Sequence, residues 1–260
     1  MLPFSINTDT YDADTDIEPR LSLFAEVGFR FVHWAEHACS AHLYSDKEIE
    51  RIARLLKQYQ LQCLDIHGCF DVEQGEELSL AKWVELNTNR MEFLHALGGD
   101  RIVLHVPLDS HMDGAPAFDT AKQMIDALLP VSTELGMRLA IENCCGQTGI
   151  IEKMLGAYTS EDLGFCYDSG HALLDNNRDI LESFLDRVLL VHLHDNYGTN
   201  DDHYLPGRGI IDWEGEIRLV LRAPCLRVLT VEVGLVTEED RSDWIKAAYD
   251  RLEQIAGYAG

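Results

Sequence analysis

The chain has 260 residues, 46% of them hydrophobic, enough for one large α/β core; (β/α)8 barrels run to roughly 250 residues. Its 21 Lys and Arg against 45 Asp and Glu leave a formal charge of −24, a field that concentrates cations and disfavours a nucleic-acid partner. No stretch approaches the roughly 18 apolar residues of a membrane span, no basic-then-apolar leader opens the chain, and seven cysteines without CxxC spacing read as reduced, mostly buried thiols of a cytoplasmic protein.

Short apolar strand runs alternate with amphipathic helical stretches from end to end. A first strand over 4–7 precedes a helix over 18–27 that closes at Gly28. A strand over 29–34 is followed by a helix over 45–60, where Ser45 and Glu48 have the spacing of a capping box. Next come a strand over 61–67, a long helix over 78–97 ending at Gly98-Gly99, and a strand over 101–106 stopped by Pro107. A helix over 116–135 ends at Gly136 and leads into strand 137–143, helix 150–158 and strand 163–167. The last units are helix 179–185, strand 188–193, helix 213–221, strand 226–233 and helix 238–256. Eight β-then-α units without a linker or shift in composition predict a single domain over 1–260, a closed (β/α)8 TIM barrel of the α/β class.

The strands close on ionisable residues. Apolar runs deliver His67, His105, Glu142, Asp168, His192 and Glu232, and barrel enzymes draw their catalytic groups from the C-terminal ends of several strands. Convergence of these groups would bury several carboxylates together, which shared protons or a cation must offset. Downstream, VHLHDNYGTNDDHYLPGRGIIDW (residues 191–213) adds His194, Asp195, Asp201, Asp202 and His203 before the Pro206-Gly207-Arg208-Gly209 turn. Alone, that loop also reads as a solvated acidic segment. Imidazole and carboxylate donors without thiolate suit Mn, Mg, Co or Zn. There is no nucleotide-binding glycine motif in the chain.

Asp168-Ser169-Gly170-His171-Ala172, His192-x-x-Asp195-Asn196, Asp201-x-His203-x-x-Pro206-Gly207-x-Gly209-x-Ile211-Asp212-Trp213 and Ile141-Glu142-Asn143 resemble the xylose-isomerase-like (β/α)8 superfamily. Sugar and sugar-phosphate isomerases and epimerases, inositol-derivative dehydratases and apurinic-site endonucleases of the endonuclease IV type belong to it. In the epimerase branch the resemblance implies one divalent ion held by Glu142, Asp168, His192 and Glu232. His192 is preferred to His194 because the family ligand lies three residues before an acid, here Asp195. The endonuclease branch holds three zincs, and His67, His105, His171, Asp201 and His203 would supply the additional ligands. The short spacing from His192 to Asp201 looks like the isomerase-type loop.

The implied function is a metal-dependent isomerase or epimerase acting on a small carbohydrate, with proton transfer through a metal-stabilised enediolate. Glu142 and Glu232 would be its acid–base pair. His171, His203 and Arg208 would meet substrate hydroxyls or a phosphate; His194 is either functional or a solvated imidazole. The alternatives are a three-zinc phosphodiesterase or apurinic endonuclease, and a keto-sugar or keto-inositol dehydratase. On strand two, where many sugar isomerases carry Glu, stand His33 and Trp34, either the floor of a sugar pocket or core. Strand one offers only Asn7. Related barrels are often dimers or tetramers, so a homo-oligomer is compatible, although nothing in the chain signals assembly.

Overall fold

The computed structural model describes residues 2–10, 16–70, 79–105, 117–144, 146, 148–234 and 241–259. Its eight strands close into a barrel in sequential order, and every neighbouring pair is parallel. They are β1 (Phe4–Asn7), β2 (Phe31–Trp34), β3 (Gln62–His67), β4 (Arg101–Leu104), β5 (Arg138–Glu142), β6 (Leu163–Asp168), β7 (Val188–Leu193) and β8 (Leu229–Val231). The expected (β/α)8 architecture is therefore what forms. Parallel strands covered on both faces must be apolar nearly throughout, and in β6 and β7 every residue is buried.

The surrounding helices are α1 (Ile17–Val27), α2 (Asp46–Tyr59), α3 (Leu80–Leu97), α4 (Ala117–Leu135), α5 (Thr148–Ala157), α6 (Ser169–Leu174), α7 (Asp179–Ser183), α8 (Trp213–Val220) and α9 (Arg241–Ala256). Trp83, Phe93, Phe165 and Trp244 are almost fully buried in the large core shared by strands and helices. A smaller cluster of Val103, Ala140, Cys166, Leu189 and Leu190 stands apart from it. The helices are too short or too polar to cross a membrane among the described residues. Of the cysteines described, none is in a disulfide; Cys63, Cys69, Cys144 and Cys166 are buried, and Cys225 is exposed.

Several boundaries differ from those expected. Helix α6, absent from the sequence reading, starts directly after β6 because the Asp168 carboxylate accepts the His171 N–H at 2.7 Å and caps it. The helix expected over 179–185 divides into α7 and a 3-10 turn, Leu185–Arg187. β8 is only three residues long, although Leu226, Val228 and Val233 outside it are also buried. Val106, Pro107, Leu78, Pro116, Cys145 and residues 238–240, which the sequence reading assigned to strand and helix ends or to packing, lie outside the described residues.

At the start of α2 the capping box is complete. Ser45 Oγ accepts the Glu48 N–H, and the Glu48 carboxylate accepts the Ser45 N–H at 2.8 Å. Ser45→Ala is expected to cost about 1 kcal/mol. Urea unfolding would show it as a lower midpoint with an unchanged slope.

Candidate metal centre

Residues two apart on a strand share a face, and this rule builds the site. His105, Glu142, Asp168 and His192 each lie two residues beyond Val103, Ala140, Cys166 and Leu190 of the small apolar cluster. That plug of side chains is the floor; the polar residues stand on it at the mouth.

Glu142, 1% exposed, is the hub. Its Oε1 lies 3.3 Å from His192 Nδ1 and 3.4 Å from His171 Nδ1, while Oε2 lies 3.2 Å from His105 Nε2 and 3.7 Å from His67 Nε2. On the other side of His192, Glu232 Oε2 approaches Nδ1 to 3.0 Å. Asp168 Oδ1 lies 3.0 Å from His194 Nε2. Asp201 Oδ2 sits between His171 Nε2 at 3.0 Å and His203 Nε2 at 3.2 Å, and the His194 and His203 rings stack at 4.0 Å.

Among the described residues five donor groups result, each with one ligand atom per residue and all within 4.8 Å of one another; besides His33, His192 and Glu232, and Glu142, Cys166 and His192, three matter here. They are Glu142, Asp168, His192 and Glu232; His67, His105 and Glu142; and His171, His194, Asp201 and His203. All the expected donors are thus brought together. His194 is fully buried in the third group, which disposes of the solvated reading.

The electrostatics match. Burial pushes the Glu142 carboxyl up, but the imidazoles of His192 and His105 outweigh it and hold the group well below the usual carboxylate range. Glu232 is held low in the same way, burial being overcome by His192. Burial opposes the His192 imidazolium, yet Cys166, Glu232 and Glu142 raise it well above its ordinary value. The same opposition leaves His171 raised by Asp168 and Asp201, His203 raised to about 10 by Asp201 and Glu232, and Asp201 held low by His171 and His203. These carboxylates therefore need positive charge, and protons on the imidazoles supply it. Asp168 Oδ2, His192 Nε2 and His194 Nδ1 are nevertheless buried without a hydrogen-bond partner among the described residues, and the close approach of His194 Nε2 to Asp168 Oδ1 does not have hydrogen-bond geometry. Unpartnered imidazole nitrogens and a carboxylate oxygen at one place fit a divalent cation that replaces imidazole protons.

The loop after β7 owes its shape to Asp195. This buried carboxylate accepts N–H groups from Gly207 at 2.8 Å, Ile211 at 3.2 Å and the Trp213 indole at 2.8 Å. The Asp-Asn…Pro-Gly-x-Gly-x-Ile-Asp-Trp spacing is thus a bracket that presents Asp201 and His203. Two glycines are required by close approach. A Cβ on Gly209 would fall 2.3 Å from Asp195 Oδ1, and one on Gly170 would fall 1.9 Å from the His194 ring. Asn143 locks β5 to β6, accepting the Asp168 N–H at 2.7 Å and donating to the Asp168 carbonyl at 2.8 Å.

Other expectations are revised. Arg208 lays its guanidinium over the Trp244 ring of α9, 4.7 Å from the centroid. Asn7 bonds the Val233 N–H and carbonyl across the β1–β8 seam. Trp34 is core, packed on Phe93 and hydrogen-bonded to the Tyr44 hydroxyl. Sequence reasoning missed Phe70, 38% exposed, whose ring lies against His105 at 4.4 Å and His67 at 5.2 Å. It also missed Asp65, which pairs with His33; its place two residues before His67 was the available signal.

Residues 21–255 match the sequence profile of the xylose isomerase-like TIM barrel. The chain belongs to that family. A Sinorhizobium fredii protein described as uncharacterized is 29% identical over 77% of this chain and 76% of its own. An uncharacterized Methanocaldococcus jannaschii protein is 25% identical over 76% and 80%. Among solved structures, a D-tagatose 3-epimerase-like protein superposes with a TM-score of 0.76 at 19% identity, covering 99% of this chain and 97% of that one. A 3-keto-D-glucoside 4-epimerase from E. coli has a TM-score of 0.70 at 16% identity, covering 99% and 100%. An IOLI protein with a bound zinc atom has 0.71 at 16%, covering 100% and 99%. At these identities the superpositions speak for the fold.

Two outcomes are expected. Asp195→Ala strands the buried Trp213 indole N–H and the part-buried Gly207 and Ile211 N–H groups and should cost about 3 kcal/mol, read as a lower urea midpoint. Because His192, the imidazole of the central quartet, is raised well above its ordinary value in the metal-free site, a metal held there must displace its proton. Titration calorimetry in buffers of different ionisation enthalpy should show net proton release, with affinity still rising with pH beyond the ordinary imidazole range, because the free-site imidazole is raised above it.

Proposed function

We propose that the chain is a divalent-metal-dependent isomerase or epimerase of a small, unphosphorylated sugar. The observation that carries this reading is the pair of buried carboxylates, Glu142 and Glu232, on either side of His192 Nδ1 at 3.3 and 3.0 Å. Glu142, Asp168, His192 and Glu232 would hold the ion. When bound, it supplies Lewis acidity toward a carbonyl and its neighbouring hydroxyl. Glu142 and Glu232 divide the proton transfer: one carboxylate takes the proton from the carbon beside the carbonyl, and the other, which must first take up a proton from solvent because both are ionised in the free site, returns that proton to the neighbouring carbon or the opposite face. His67 and His105 face the hydroxyls, and the Phe70 ring beside them offers a flat surface to C–H groups.

The charge pattern supports an uncharged substrate. The stretches leaving the strand C-termini (8–16, 35–45, 68–79, 105–116, 143–147, 175–178, 194–212 and 232–240) contain just two of the 21 Lys and Arg, Arg178 and Arg208. Arg178 pairs with Glu216, and Arg208 stacks on Trp244. Neither arginine of these stretches is disposed as a clamp for a distal phosphate.

A second reading is favoured by a specific observation. The two oxygens of Glu142 face different imidazole sets, and the groups around His67 and Asp201 flank the central one. That arrangement suits a multi-metal phosphoester hydrolase of the endonuclease IV type.

Metal analysis of protein purified without chelators decides between them. About one divalent ion per chain, with turnover of unphosphorylated ketoses or aldoses, is expected; nearly three tightly held zincs with phosphoester cleavage would replace the isomerase reading. Glu142→Gln and Glu232→Gln should each lower turnover by about 10² to 10⁴. Full activity in either variant overturns the acid–base assignment.

A further inference from the structure

Beneath the mouth of the barrel lies a buried pair that the proton transfer does not use. His33 on β2 and Asp65 on β3 are neighbours in register, and neither has any exposed surface. His33 Nδ1 lies 2.5 Å from Asp65 Oδ2. Asp65 stands two residues before His67, so it shares the face of β3 that carries His67 to the site. The carboxylate fixes the imidazole as the Nδ1–H tautomer and leaves the Nε2 lone pair free. That Nε2 is buried without a hydrogen-bond partner among the described residues.

The direction of His33 is informative. Its ring lies 4.6 Å from that of His192 and 5.8 Å from that of His67. Its ligand atom lies within 4.8 Å of those of both His192 and Glu232, two members of the central quartet. A histidine kept only for packing would satisfy both nitrogens or be replaced by an apolar residue, because an unpartnered buried nitrogen costs about 1 to 3 kcal/mol. An imidazole bonded to a carboxylate at one nitrogen, with the other left open toward donors, is how proteins orient metal ligands.

We propose that His33 Nε2 is a fifth protein donor to the ion held by Glu142, Asp168, His192 and Glu232. It enters on the His192–Glu232 edge from inside the barrel, and Asp65 sets its tautomer. The inference rests on the metal centre proposed above. A second imidazole makes the donor set richer in nitrogen, which favours zinc and cobalt over magnesium and manganese.

The test compares wild type with His33→Gln and Asp65→Asn, and in parallel with Asp168→Asn and Glu232→Gln. Zinc and manganese affinities are measured by competition with a chromophoric chelator at one equivalent of ion, and the cobalt form is read by its visible spectrum. His33→Gln should weaken zinc binding by about 100-fold and manganese binding by less. Asp65→Asn should weaken zinc by about 10-fold. Both should alter the cobalt spectrum, while near-ultraviolet circular dichroism stays native. Should His33→Gln fail to fold, Asp65→Asn carries the test alone. Unchanged zinc affinity and cobalt spectrum in a folded His33 or Asp65 variant overturns the proposal. If Asp168→Asn and Glu232→Gln leave the affinity untouched, the central site itself is wrong, and the His33 assignment falls with it for that separate reason.

Discussion

Three carboxylates, on Glu142, Asp168 and Glu232, converge where water is almost excluded, and the rest of the site follows from that constraint. Withdrawing an ion from water costs several kcal/mol even after the protein relaxes. A barrel that ends its strands on acids must therefore place positive charge among them. Here the imidazoles of His67, His105, His171, His192, His194 and His203 surround the acids, and each can carry a proton or offer a lone pair. Under the proposed metal-dependent reading, the same atoms would serve a cation once imidazolium protons leave. Glu142 is the point of greatest dependence, since its two oxygens face separate imidazole sets.

Holding these groups together takes a scaffold with little freedom. The apolar plug of Val103, Ala140, Cys166 and Leu190 sets the height of the polar layer above it. Asn7 closes the β1–β8 seam and Asn143 ties β5 to β6, so neighbouring strand ends cannot drift. Asp195 performs the corresponding task for a loop without regular structure of its own. By collecting backbone and indole N–H groups it turns the segment between β7 and α8 into a rigid arm carrying Asp201 and His203. This acid, which looks in sequence like a member of the site, is its buttress.

Much of this was legible from residue order. Alternation of apolar strands with amphipathic helices determined eight β-then-α units, and the Ser45 and Glu48 spacing marked a cap that forms. Helix α6 was missed because Ser169-Gly170-His171 has poor helical propensity; it exists because Asp168 caps it. The β8 bounds were overestimated because Leu226 and Val228 are buried without pairing. At the site, the acids and histidines at strand ends could be named one by one, since each follows an apolar run and must stand at the barrel mouth.

The sequence by itself determined the barrel, the polar strand ends and a charge balance that concentrates cations and disfavours a nucleic-acid partner, because these depend on periodicity and composition. Only the tertiary structure decided which polar residue faces which. It sent Arg208 to Trp244, Trp34 to Phe93 and Asn7 to the seam, divided the oxygens of Glu142 between two imidazole sets, and paired His33 with Asp65. Such choices depend on register and closure between strands tens of residues apart, which no local pattern encodes.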